Sequence, residues 1–183
     1  KVLETNNESI VFIGNSITDM HCWPEAFKTS TGEYLPIVNR GNSGTYSTEQ
    51  SNNLESYING KPKKVFMMIG TNDLAGYELN EEVEKNYRTL IKEILQYNPD
   101  VKLFLGNPIP STDTAKTYVT EGARVKWIRE FIIGLCEDKA FIESIETGVK
   151  NRSHIDRIME SMLVLDKMYE SASVEHELTI TER

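Results

Sequence analysis

Short apolar runs alternate with helical patterns along this chain, and no other feature of the sequence constrains the fold as strongly. The runs lie at residues 10–13, 36–39, 65–69, 101–105 and 140–142. The run at 65–69 is apolar at every position, as expected of a strand that is covered on both faces. Strands that alternate with helical crossovers pair in parallel and form right-handed βαβ units. The sequence therefore predicts an α/β fold with a parallel sheet of about five strands and helices on both faces.

The predicted helices lie at residues 23–29, 48–58, 81–97, 120–135 and 155–163. The pattern is clearest at 81–97, where Val83, Tyr87, Leu90, Ile91 and Ile94 form one stripe at the helical period. Pro99 follows directly and predicts the end of that helix. Because the sequence contains no repeat, linker or low-complexity segment, we expect residues 1–183 to form a single domain.

Composition excludes several classes of protein. A chain of 183 residues can bury about 70% of its unfolded surface, so it needs neither disulfides nor a metal to hold a core. The formal charge of −8 argues against binding to nucleic acid, which requires basic patches. No run of 18 apolar residues exists, so we expect no membrane span. Two cysteines and three histidines occur at no metal-ligand spacing, and we expect no metal or other cofactor.

Two further properties stay open from the sequence. Cys22 and Cys136 are interpreted as plain buried thiols. The chain begins at Lys1 rather than Met, which is typical of a processed protein, so a secreted or periplasmic location after signal removal stands beside a cytoplasmic one. The oligomeric state is equally open.

Polar and glycine-rich turns follow the first three predicted strands. They are residues 14–18 (GNSIT), 39–44 (NRGNSG) and 70–73 (GTND). In a parallel sheet these turns share one edge, where α/β proteins bind their ligands. Ser16 is then either a nucleophile exposed on a strand-end turn or an ordinary helix N-cap.

Acyl transfer requires a nucleophile and hydrogen-bond donors aimed at the developing oxyanion. Ser16 provides the hydroxyl, and the backbone N–H groups of Ser16 and Gly44 and the amide of Asn72 are candidate donors. Taken singly, Gly44 is typical of a turn, and Asn72 and Asp73 are typical of a loop or a helix cap. Their order after consecutive strands favours a shared site.

These three turns resemble the first three conserved blocks of the SGNH hydrolases, also called GDSL-type esterases. The resemblance covers residues 10 to about 110, and the third block, 70–73, matches as written. It implies a three-layer α/β/α fold and hydrolysis of small acyl esters, often acetyl groups on carbohydrates. By the same resemblance Ser16 is the nucleophile, and Gly44 and Asn72 complete the oxyanion hole. The family usually has Asp where this chain has Asn15.

The family's catalytic base comes from a late Asp-x-x-His motif, which this chain lacks. His176 lies where that base belongs, and Ser173 stands at the position of the motif's Asp. His154 is the alternative base, although it also suits a helix start, and His21 is expected at the rim of the site. Asp166 is the nearest carboxylate in sequence that is available to orient His176. A chain with no functional base is a further alternative.

The sequence thus favours a serine esterase for a small-molecule ester, with acylated sugars among the candidates. The runner-up is a non-catalytic relative that keeps the pocket and binds without turnover. A flavodoxin-like binding module is disfavoured because the chain has no glycine-rich phosphate loop. Trp23, Tyr46 and Tyr77 follow the three turns and are candidates either for a sugar-binding rim or for packing.

Overall fold

The computed structural model describes residues 4–77, 79–108, 122–147 and 178–179. The strands are β1 (Ile10–Gly14), β2 (Phe27–Lys28), β3 (Ile37–Gly41), β4 (Lys64–Met68), β5 (Lys102–Leu105) and β6 (Leu178–Thr179). The helices are α1 (Ser16–Asp19), α2 (Trp23–Ala26), α3 (Ser47–Ile58), α4 (Thr71–Gly76), α5 (Asn80–Tyr97) and α6 (Gly122–Thr147). The predicted helix at 155–163 lies outside the described residues.

A four-stranded parallel sheet with the order β3-β1-β4-β5 organises the fold. β1 lies between β3 and β4, and Gly14 at its end is level with Gly41 of β3 and Met68 of β4. Helices flank the sheet. The predicted α/β class with a parallel sheet is therefore confirmed. The carboxyl ends of β1, β3 and β4 lie at one edge of the sheet.

The predicted strand at 140–142 is wrong, because those residues continue α6. A three-residue apolar run cannot by itself distinguish a strand from part of a buried helix. The predicted helix at 23–29 is also shorter than expected. It ends at Ala26, and β2 then pairs in parallel with β6 in a separate two-stranded sheet. That pairing joins positions far apart in sequence, so no local pattern predicts it.

Alternate residues of β1 and β4 point to opposite faces of the sheet, and each face has its own core. On one face Val11, Ile13, Val65 and Met67 pack with the buried sides of α3, α5 and α6. The predicted stripe of α5 faces this core: Val83, Tyr87, Leu90 and Ile94 are fully buried, and Ile91 is partly buried against the same cluster. These contacts hold β1 and β4 in register beneath the turns that follow them.

Aromatic rings dominate the other face. Phe12 stacks between Trp23 and Phe66, with ring centroids 5.3 and 5.0 Å away, and Phe66 stacks on Phe104 at 4.4 Å. Trp23 is only 3% exposed and donates its indole N–H to the Thr18 carbonyl. Packing is therefore the structural role of Trp23, and this packing fixes the helix that follows β1.

Two other expectations concern the burial of the cysteines and the presence of a membrane span. Cys22 is exposed and Cys136 half-buried, so the expectation of two buried thiols is wrong for Cys22. Among the described helices, none has the length and apolar character that crossing a membrane would require.

The fold contains a close approach between Gly70, at the start of α4, and α6. Gly70 has a φ of +115°, and a Cβ atom there would meet the Ile128 side chain. Gly32 has a φ of +83° but open space around it. A comparison of substitutions at Gly32 and Gly70 therefore distinguishes the effect of backbone strain from that of steric overlap.

We predict that Gly70→Ala lowers the free energy of unfolding by about 2–4 kcal/mol, because backbone strain and overpacking add. Gly32→Ala, which meets only the strain, should cost about 1–2 kcal/mol. Urea denaturation measures both. Adding Ile128→Val should restore part of the loss in Gly70→Ala, and equal losses in the two single variants would contradict the close approach.

Candidate active site

Ser16 is the first residue of α1, directly beyond the end of β1. Asn15 is the N-cap of this helix, and its side-chain oxygen accepts a hydrogen bond from the Ile17 N–H at 3.1 Å. Asn15, not Ser16, therefore does the capping, and the ordinary-cap interpretation of Ser16 is wrong. The Ser16 N–H lies in the first helical turn, where backbone donors have no intrahelical acceptor.

The second turn is anchored to α1 by Asn39. Its amide nitrogen donates to the carbonyl oxygens of Thr18 at 2.9 Å and His21 at 3.0 Å. Its amide oxygen accepts from the Gly41 N–H at 2.8 Å. A Cβ atom at Gly41 would overlap the backbone of Asp19, so only glycine permits this approach.

Gly44 is exposed and has a φ of +80°, a conformation that favours glycine. The segment before it is tied to the first turn at two points. The Asn42 N–H donates to the Gly14 carbonyl at 2.9 Å, and the Ser43 hydroxyl donates to an Asp19 carboxylate oxygen at 2.6 Å. The turns that carry Ser16 and Gly44 are thus held side by side.

Asn72 lies in the first turn of α4 and is half-buried. Its side-chain nitrogen donates to the Thr45 carbonyl at 2.9 Å, directly beyond Gly44. An amide nitrogen carries two hydrogens, so this bond leaves one donor for a ligand. The third turn is thereby fixed against the second.

Asp73 is fully buried beneath these turns. Its carboxylate accepts from the Ser47 N–H at 3.0 Å and from the Ser47 hydroxyl, at the start of α3. Burial raises the pKa of the Asp73 carboxyl above the ordinary aspartate value, and the hydrogen bonds from Ser47 oppose this shift. The sequence favoured a loop or cap role for Asp73, whereas the structure makes it a buried link between α4 and α3.

Of the three histidines, only His21 lies in the part of the chain that the structure describes. The His21 ring lies against Trp23, with centroids 4.1 Å apart, and burial lowers the pKa of its imidazole. His154 and His176 lie outside the described residues, as do Ser173 and Asp166. In the part of the chain that is described, no cluster of three metal-ligating side chains occurs.

Two tyrosines stand beside the second and third turns. Tyr46 and Tyr77 are half-buried, and their rings meet edge to face with centroids 5.8 Å apart. Tyr46 also packs on Gly76. Both rings are partly accessible near the Gly44 and Asn72 turns, in contrast to Trp23.

Sequence reasoning missed Thr45 and Gln50, which lie below the three turns and are buried. One signal was available. The buried stripe of α3 consists of Ser47, Gln50, Leu54 and Ile58, so a glutamine falls on the face that packs against the sheet. A large polar side chain on the inward face of a helix indicates a specific hydrogen-bonding role, because buried polar groups are normally hydrogen-bonded.

Chemically, this edge presents a serine hydroxyl, backbone N–H groups at a helix start and at a glycine turn, and a side-chain amide with one remaining donor. This is the donor set that acyl transfer requires. Residues 12–148 match the sequence profile of the GDSL-like Lipase/Acylhydrolase family. The chain belongs to this family. Its members are carboxylic ester hydrolases.

Solved structures agree on the fold. A protein from Streptococcus pneumonia, provisionally described as a platelet activating factor, matches with a TM-score of 0.62 at 22% identity, over 73% of this chain and 63% of that one. A protein from Desulfitobacterium hafniense, provisionally assigned to the G-D-S-L family of lipolytic proteins, matches with a TM-score of 0.56 at 20% identity, over 73% and 74%. A GDSL-like lipase from Bacteroides thetaiotaomicron gives 0.57 at 21%, over 73% and 65%.

The chain thus spans less than two thirds of the first and third of these proteins. At these identities the likeness shows a shared fold. No protein of curated function matches the sequence.

We predict that the stability of the protein depends on pH through Asp73. Because the native pKa is raised, the folded state binds the proton more tightly than the unfolded state, and the free energy of unfolding falls as pH rises from the ordinary aspartate pKa through the native one. Asp73→Asn removes this dependence. Urea denaturation from pH 3.5 to 8 should therefore show the wild type losing stability relative to Asp73→Asn as pH rises.

The exposed Asp100→Asn serves as the control for the general effect of removing a carboxylate. If the difference between wild type and Asp73→Asn stays constant, or moves in the opposite direction, the raised pKa is contradicted.

Proposed function

We propose that this protein is a serine esterase that hydrolyses small acyl esters, acetyl esters foremost, with acylated carbohydrates as the substrate class. Ser16 is the nucleophile. The N–H groups of Ser16 and Gly44 and the side-chain amide of Asn72 form the oxyanion hole. His176 is the general base. The domain spans residues 1–183.

The observation that carries this proposal is the hydrogen bond from Asn72 to the Thr45 carbonyl at 2.9 Å. It holds the candidate amide donor beside Gly44, on the turn that Asn42 ties to the end of β1. Membership of an ester hydrolase family supports the same chemistry.

In the proposed reaction the Ser16 hydroxyl attacks the ester carbonyl carbon, and the base takes its proton. The carbonyl oxygen of the tetrahedral intermediate then accepts hydrogen bonds from the three donors. Collapse expels the alcohol, which receives the proton back from the base, and water hydrolyses the acyl-enzyme by the same steps. Donors that are already held in place require no reorganisation as the charge develops.

The base is the less typical part of the site. Ser173 stands at the position of the family's Asp, and a serine can hydrogen-bond to an imidazole but supplies no charge to stabilise the imidazolium form of His176. We therefore propose a slower enzyme than one with a complete triad. Oxyanion stabilisation and binding alone retain roughly 10³–10⁴-fold catalysis over water.

The aromatic pair supports the substrate class. Tyr46 and Tyr77 present partly accessible rings next to the second and third turns. Rings with an apolar face and a polar edge suit the faces and hydroxyl groups of a sugar. We propose that the acetyl group lies at the oxyanion hole and that the sugar lies against the rings of Tyr46 and Tyr77.

We predict that Ser16→Ala reduces hydrolysis of p-nitrophenyl acetate to the residual rate that oxyanion stabilisation and binding support, because the variant lacks the attacking oxygen. The release of p-nitrophenol measures the rate. His176→Ala and His154→Ala are the companion variants, and only His176→Ala should slow turnover. An unchanged rate in Ser16→Ala would exclude the nucleophile, and a loss confined to His154→Ala would reassign the base.

We also predict that Asn72→Leu lowers kcat by roughly 10²–10³-fold, the usual effect of removing one oxyanion donor, with a smaller effect on KM. Asn53→Leu is the matched control, since the Asn53 amide is exposed and donates to the Glu49 carbonyl of its own helix. Steady-state kinetics on both variants give the comparison. Equal kcat values would remove Asn72 from the oxyanion hole.

A non-catalytic binding protein is the second candidate, and the missing Asp-x-x-His motif favours it. A fluorophosphonate probe distinguishes the two functions. Covalent labelling at Ser16 supports the esterase, whereas an inert serine together with measurable sugar binding supports the binding protein.

A further inference from the structure

Gln50 is a fully buried amide on the inner face of α3, between the first and second turns of the site. Its nitrogen donates to the Gly14 carbonyl at 3.1 Å and to the Thr45 hydroxyl at 2.6 Å. Gly14 lies two residues before Ser16, and Thr45 directly follows Gly44. One side chain therefore joins the backbone leading to the nucleophile to the residue beside the proposed oxyanion glycine.

The direction of these hydrogen bonds is fixed by their partners. The Thr45 hydroxyl donates to the Asn42 carbonyl at 2.7 Å, so it accepts the bond from Gln50. The Gly14 carbonyl can only accept. Two acceptors therefore face the same end of the Gln50 side chain, and that end must be the nitrogen. A carboxylate at this position would have no hydrogen to donate to these two acceptors.

Thr45 also links to the third turn. Its carbonyl accepts the hydrogen bond from the Asn72 side chain at 2.9 Å. A continuous path thus runs from Gly14 through Gln50 and Thr45 to Asn72, and it crosses all three turns that the sequence singled out. None of these links uses the backbone N–H of Ser16 or of Gly44.

Packing alone does not explain a glutamine here. The neighbouring inward positions of α3 farther along the helix are Leu54 and Ile58, and an apolar residue at position 50 would continue this stripe. The Gln50 side-chain oxygen is buried and has no hydrogen-bond partner among the described residues. A buried oxygen without a hydrogen-bond partner lowers the stability of the fold. A glutamine is therefore unfavourable at this position unless the hydrogen bonds of its nitrogen are needed.

We propose that Gln50, acting through the Thr45 hydroxyl, is a positioning residue that holds the oxyanion donors of Gly44 and Asn72 in register with Ser16. The inference rests on the proposed function for its catalytic consequence. Its structural consequence, an ordered Gly44 turn, is independent of turnover. Misplacing a catalytic group by about 1 Å can reduce the rate about 10²-fold, so the loss of this link should appear in kcat.

The test compares Gln50→Met with Asn98→Leu. Asn98 is 5% exposed, and its amide donates to the Pro62 carbonyl at 2.8 Å, near the start of β4 and therefore away from the strand ends that carry the turns. Both substitutions remove a buried amide donor and keep side-chain size. Thr45→Val and Thr45→Ser form a second pair, in which only the valine removes the hydroxyl.

Amide hydrogen exchange of residues 42–46 is the first readout, because it needs no substrate. We expect faster exchange in Gln50→Met and Thr45→Val, and wild-type exchange in Asn98→Leu and Thr45→Ser. Steady-state hydrolysis of p-nitrophenyl acetate is the second readout. There we expect kcat to fall about 10- to 100-fold in the first two variants with KM little changed, and to stay near wild type in the other two.

Unchanged exchange at 42–46 in both Gln50→Met and Thr45→Val overturns the proposal. So does an equal fall of kcat in Asn98→Leu, which would reduce the effect to general destabilisation. If Gln50→Met does not fold, the threonine pair decides. If the wild type hydrolyses no ester, the proposed function fails, while the exchange measurement still decides whether Gln50 orders the turn.

Discussion

The parallel register of β1 with β3 and β4 is the constraint on which the rest of the structure depends. It places Gly14 level with Gly41 and Met68, so three chain segments from distant parts of the sequence leave the sheet at the same height. The apolar residues of β1 and β4 maintain that register by packing on both faces, against aliphatic side chains on one and stacked aromatic rings on the other. Every feature of the site uses this edge.

Buried polar groups then convert a shared edge into a defined site. Asp73 holds the start of α3, Gln50 and Thr45 link the first two turns, and Asn72 closes the third onto the second. Each of these groups gives up hydration, and the carboxyl of Asp73 shows the cost as a raised pKa. Such groups favour one arrangement over many, because a misplaced turn would leave a buried donor or acceptor without its partner.

Sequence patterns predicted the long, strongly periodic elements, and they failed where an apolar run was short or where a pairing partner was distant in sequence. The prediction of α5 was correct because apolar residues that recur at the helical period along a helix of 18 residues have no competing interpretation. The run at 140–142 was too short to exclude a helix, and it continues α6. The pairing of β2 with β6 joins Phe27 to Leu178, a contact that no local window contains. At the candidate site, the sequence blocks pointed to Ser16, Gly44 and Asn72, whereas the hydrogen bonds of Gln50 depend on acceptors that only the fold brings near it.

The sequence by itself determined the α/β class, through the alternation of apolar runs with helical patterns, and the order of the three turns. It also determined membership of an ester hydrolase family, through the match of residues 12–148 to the profile of that family. The tertiary structure decided that Asn15 rather than Ser16 caps α1 and that Trp23 packs in the core. It also placed Thr45 at the meeting point of the three turns. Those outcomes depend on which donor meets which acceptor across distant segments, and only the folded chain brings such groups within hydrogen-bond distance.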